Sequence, residues 1–169
     1  MVNGEGEAMK IFIIGATVVV ILILLTIFRR TGRKLTEQQI IESQQCVNAA
    51  MNSVVKHLDP SLGIIEDSKP FRSTLVANIW GHEVMAFEFI LPVERKLNAD
   101  VLRRKLNNGL QAYATSHQLE SYDQSEPVFV VTDIWFNQAG TTLHVDVTHV
   151  VNAETVAYLH DLRRLNQTN

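Results

Sequence analysis

The chain has 169 residues, 46% of them hydrophobic, with a single cysteine, Cys46, and a formal net charge of −3. That length suits one ordinary domain able to bury a core, and one cysteine excludes an intrachain disulfide framework. From residue 35 onward ten basic residues face sixteen acidic ones, a net charge of −6, which opposes contact with phosphate backbones; no nucleic-acid partner is expected.

The first predicted element is an apolar run, Ile11 to Phe28, followed at once by Arg29, Arg30, Arg33 and Lys34. As a helix, eighteen residues cover roughly 27 Å, close to the hydrocarbon thickness of a bilayer. The basic cluster lies after the run and no small-residue cleavage site follows, which is the wrong order for a signal peptide. The run therefore reads as one transmembrane helix between a short extracytoplasmic tail at 1–10 and a basic juxtamembrane linker at 29–35. The excess of basic residues on the C-terminal side predicts a cytoplasmic C-terminal domain at the cell membrane.

Residues 36–58 show an amphipathic helical pattern. Thr36 and Gln39 form a capping box, and Ile40, Val47, Met51, Val54, Val55 and Leu58 fall on one stripe interrupted by Gln44 and Gln45. Asp59-Pro60 ends it. This stripe predicts packing on its own domain in preference to a coiled-coil stalk, because only about three heptads are available.

Residues 73–169 show a β-β-α-β-β-α order, an α+β two-layer sandwich with both helices on one face of a four-stranded sheet. Thr74–Trp80 and Phe129–Trp135 each open a hairpin, returning through Gly81-His82 and through Asn137–Gly140 into segments of period-two alternation. Helices follow at 99–117 and 153–165, with Asn98 and Asn152 in the N-cap positions. Alternation sends Leu75, Ala77, Ile79, Met85, Phe87, Phe89, Leu91, Val130, Thr132, Ile134, Leu143, Val145 and Val147 towards the helices. The opposite face then carries Asn78, Trp80, Glu88, Asp133, Trp135, His144 and Asp146. Tryptophans at two equivalent places on a polar face mark either a docking surface or a face covered by helix 36–58.

Catalytic signatures are few. His144 and Asp146 sit about 7 Å apart on one strand face and supply a metal site only if His82 or Glu83 joins them. A solvated polar face explains the same residues, so no metal is expected. Cys46 lacks a partnering His or Lys in the sequence pattern, the Arg103-Arg104-Lys105 run and the His160–Arg164 segment read as solvated helix faces, and no phosphate-binding loop, dinucleotide fingerprint, nucleophile elbow, HExxH or CxxC is present.

Between Gly81 and Asp146 the order of Gly81, Val84, Phe87 and Glu88, a Leu- and Ala-rich helix ending near Tyr113, an apolar strand, and Gly140, Leu143, Val145 and Asp146 resembles the small domain that precedes the motor in membrane-anchored FtsK/SpoIIIE-type DNA translocases and conjugation coupling proteins. The resemblance covers less than half the chain, and the phosphate-binding loop of the motor is absent. It implies an accessory subunit of a conjugative DNA-transfer or secretion membrane complex. The residues themselves imply a single-pass membrane protein whose α+β domain acts as an interaction or scaffold module. No catalytic residue, cofactor or small-molecule substrate is expected, and the expected partners are the membrane and other membrane-associated proteins or a second copy. An enzyme of unrecognised type is the remaining alternative.

Overall fold

The computed structural model describes residues 3–65, 69–76 and 83–167. Along the first helix, side chains are described at Gly15, at 17–23 and, almost throughout, from Glu37 on. The chain divides into two compact units, Met1–Gln39 and Ile40–Asn169.

Helix α1 runs without a break from Asn3 to His57. The basic linker at 29–35 is thus helical backbone, and Thr36 lies inside the helix instead of capping it. Among the described residues, no helix is long and apolar enough to cross a membrane. Of the run at 11–28, side chains are described at 17–23, all of them exposed. Other side chains of the run, and those of Arg29, Arg30, Arg33 and Lys34, lie outside the described residues. The finding overturns the expected single-pass transmembrane helix, and with it the cell-membrane location and the cytoplasmic orientation derived from its flanks.

The second unit begins within α1. Val47, Ala50, Met51, Val54 and Val55 are buried, with Ile40 and Leu58 packed at the margin. The helix stops before Pro60, and a 3-10 turn at Pro60–Leu62 leads to Gly63, whose φ of +60° favours glycine. Gln44, Asn48 and Asn52, spaced one turn apart on α1, bind the extended segment Phe71–Ser73. Gln44 Nε2 donates to Ser73 O at 2.6 Å, Ser73 N donates to Asn48 Oδ1 at 2.9 Å, and Asn52 exchanges bonds with both backbone groups of Phe71 at 2.8 Å. The polar break at Gln44 in the apolar stripe is therefore structural.

The sheet comprises β1 (Thr74–Leu75), β2 (Ala86–Pro92), β3 (Phe129–Phe136) and β4 (Thr142–His149), antiparallel throughout in the order β1-β2-β4-β3. Helix α2, Ala99–Ser116, lies between β2 and β3, and α3, Ala153–Gln167, follows β4. Asn98 caps α2 by accepting from the backbone N–H groups of Asp100 and Val101, and Asn152 accepts from Thr155 N at 2.9 Å. The β3–β4 turn closes through Asn137, whose Oδ1 accepts from Thr141 and Thr142, with Gly140 at φ +71°.

One face of this sheet, Phe87, Phe89 and Leu91 with Leu143, Val145 and Val147, is fully buried under α1 and under Leu102, Leu106, Leu110 and Ala114 of α2. Gly109 lets α2 approach α1: a Cβ there would meet Val54 Cγ1 at 2.7 Å. Helix α3 packs elsewhere. Its Tyr158 and Leu159 cluster with Ala86, Val150 and Val130, and since Ala86 and Val130 pair with Thr148 while Phe87 and Val131 pair with Val147, that cluster lies on the opposite face. Both expectations about layers need correction. The two C-terminal helices do not share a face, and the 36–58 segment covers the α2 face, not the tryptophan face.

A bulge at Thr132 explains a further difference. Register passes from Val131↔Val147 to Asp133↔Asp146 with one extra residue, so the alternation of β3 changes phase. Val130 and Thr132, expected towards the main core, face α3 and β4 instead: Thr132 Oγ1 accepts from Thr148 Oγ1 at 3.2 Å. Ile134 returns to the core.

Candidate functional site on the open end of the sheet

On the face that carries α3, three rows run across β2, β4 and β3. The first, Ala86–Thr148–Val130, is covered by α3. Next comes Glu88–Asp146–Asp133, and after it Ile90–His144–Trp135. Five of the residues assigned to this face from alternation, Glu88, Asp133, Trp135, His144 and Asp146, are thus brought together. Asn78 and Trp80 lie outside the described residues.

The aromatic row is partly open. Trp135 is 44% exposed and Ile90 54% exposed. The Trp135 and His144 rings stack with centroids 3.5 Å apart and planes within 8°, and His144 Nδ1 lies 2.7 Å from Glu88 Oε1. Ile90 was not singled out from the sequence, although the alternation that exposes Glu88 also exposes the residue two positions on.

The acidic row sets like charges side by side. Burial pushes the Asp146 carboxyl up to about 6, the charges of Glu88 and Asp133 add to the rise, and His144 opposes it. Asp133 Oδ1 accepts from Ile134 N at 2.8 Å. Tyr158 of α3, beside this row, has its hydroxyl pushed up by burial, with the charges of Asp146 and Asp133 adding to the effect.

The outer edge of β3 is closed at the bulge. Arg103 of α2 donates to the carbonyls of Val131 and Thr132 at 2.8 and 2.9 Å, and Asn107 Oδ1 accepts from Val131 N at 2.8 Å. Arg103 is therefore an edge cap and not the solvated charge that its run suggested. Strand addition, the usual use of a bare edge, is blocked over Val131–Ile134.

Other chemistry-bearing residues are held in structural roles. Ser43 Oγ lies 2.7 Å from His149 Nδ1, but Ser43 is 3% and His149 8% exposed, and burial pulls the imidazole down to about 4. This buried pair, with the His149 ring tilted against Phe129 at 4.9 Å between centroids, links α1 to β4 out of reach of a substrate. Cys46 is half-buried and burial pushes its thiol up, the opposite of activation. His160 and Arg163, expected as solvated, gather instead on the buried Glu126 carboxylate, whose pKa falls under the Arg163 guanidinium. No group of three or more His, Cys, Asp or Glu able to hold a metal ion is found among the described residues, where Glu83 is exposed and His82 is not included.

No family model, curated protein or solved structure matches the chain.

Proposed function

We propose that this chain is a non-catalytic protein-interaction or scaffold module that docks its partner on the open end of the sheet. The observation that supports the reading is the exposed Trp135, fixed by its stack on His144 and flanked by the exposed Ile90 across β4. A rigid, half-exposed tryptophan adds little to folding and much to binding, because a partner that covers it gains area without ordering the ring. The capped edge of β3 turns a partner towards the face and away from the strand.

The test joins two readouts on the full-length chain. Replacing Trp135 with Ser is expected to shift the thermal midpoint by only a few degrees, in line with a loss near 1 kcal/mol. A photo-crosslinking residue at Ile90 is expected to form discrete adducts in cells that disappear in the Trp135→Ser background, while the same group at the exposed Glu154 on α3 forms none of them. Unfolding of Trp135→Ser, or identical adducts from both positions, would defeat the proposal.

A further inference from the structure

Resting on that docking reading, we infer that the open end of the sheet accepts an arginine side chain presented by the partner protein, with the acidic row as counter-charge and Trp135 as stacking platform. Register sets Glu88 opposite Asp146 and Asp146 opposite Asp133, so three carboxylates stand abreast on adjacent strands, with Cβ atoms about 5 Å apart for directly opposed residues. Like charges directly opposed weaken a sheet, and although Glu88 meets His144 and Asp133 accepts from Ile134 N, Asp146 at the centre of the row stays flanked by a carboxylate on each side. Among the described residues, the charges that act on Asp146 are those of the acidic Glu88 and Asp133 and of the basic His144. Among the described residues, three carboxylates thus share one neighbouring imidazole, and a guanidinium brought by a partner balances them at neutral pH.

The choice of guanidinium follows from the neighbouring row. The exposed part of the Trp135 indole lies one row from the carboxylates, and Arg is the cation that both stacks on an aromatic plane and bonds carboxylates in a planar fork. A lysine ammonium satisfies the charge but has no plane to stack. A metal ion needs converging ligands, which are absent among the described residues. With the β3 edge capped by Arg103 and Asn107, the arginine arrives across the face, with Ile90 giving apolar contact at the far end of the row.

The experiment uses the full-length chain with Trp80→Phe, which leaves Trp135 as the only indole. An acetylated tetra-arginine peptide is titrated while Trp135 emission is followed. Saturable binding is expected, weakened at least about tenfold by Asp133→Asn combined with Asp146→Asn, and as much by replacing arginine with citrulline. A tetra-lysine peptide is expected to bind several-fold more weakly, and arginine binding is expected to fade below pH 6 as Asp146 takes up its proton. The amide variants remove repulsion without changing shape, and a thermal melt checks that they fold. Equal affinity in the amide variants, equal affinity for citrulline, or lysine binding as tight as arginine would each overturn the inference. Ile90 crosslinks to a partner without any tetra-arginine binding would sink the arginine acceptor alone; loss of both would sink the docking reading as well.

Discussion

At the residue scale, Asp146 and His149 pull stability in opposite directions with pH. His149 has an ordinary pKa of 6.5 and about 4 in the fold, so the unfolded chain binds the proton more readily. Its contribution is fully present above pH 6.5 and is lost as pH falls towards 4, by up to roughly 3 kcal/mol. Asp146 runs the other way: ordinarily 3.8 and about 6 when folded, it favours the fold below 3.8 and that advantage is gone above 6. Because Asp146 retains some exposure, about 1–2 kcal/mol is a fair magnitude after solvent screening. Asp146→Asn is therefore expected to stabilise the chain by that amount at pH 7.5, with the gap closing towards pH 4. His149→Gln should remove the acid-side loss between pH 6.5 and 4. Urea unfolding across this range measures both, and an Asp146→Asn variant no more stable than the parent at pH 7.5 would show that the acidic row is relaxed.

At the element scale, alternation and caps made much of the sheet readable. Met85, Phe87, Phe89, Leu91, Leu143, Val145 and Val147 are buried as their period predicts, and Asn98 and Asn152 cap where expected. The bulge was not readable because Thr132 suits either phase of a strand, and an amphipathic α3 tells that it packs but not on which face. Only the sheet register shows that its stripe of Tyr158 and Leu159 meets Ala86 and Val130 behind the main core. Likewise, the sequence shows the apolar stripe broken at Gln44 and Gln45, while the ladder of Gln44, Asn48 and Asn52 on Phe71–Ser73 appears only in the fold. Arg103 carries an element-level prediction. Arg103→Ala removes two bonds to the β3 edge, and is expected to cost about 1–2 kcal/mol and to promote concentration-dependent association through the freed carbonyls. Sedimentation of the variant across a concentration series checks this, and an unchanged monomer fraction with unchanged stability would deny the edge its role.

At the scale of the whole molecule, two compact units divide within one long helix, between Gln39 and Ile40. The second unit is a four-stranded sheet with residues 40–57 of α1 and with α2 on one face and α3 on part of the other. That partial cover is what creates the candidate site. Had both C-terminal helices shared a face, as the repeat of elements suggested, the acidic row would be solvated throughout; because α3 covers the first row, Asp146 is drawn into a half-dry margin beside an exposed aromatic row. The site residues were legible as a polar face carrying tryptophan. Their ordering into rows was not, since it depends on cross-strand register and on the phase change at Thr132.

A docking site here requires that margin to be open and negatively charged. In the full-length Trp80→Phe chain, collisional quenching of Trp135 by cesium and by iodide at matched ionic strength measures both properties at once. Ready quenching is expected, stronger by cesium than by iodide, with the difference lost in the Asp133→Asn and Asp146→Asn double variant, because the carboxylates draw cations to the ring and repel anions. Emission typical of buried indole with poor quenching by either ion would contradict it.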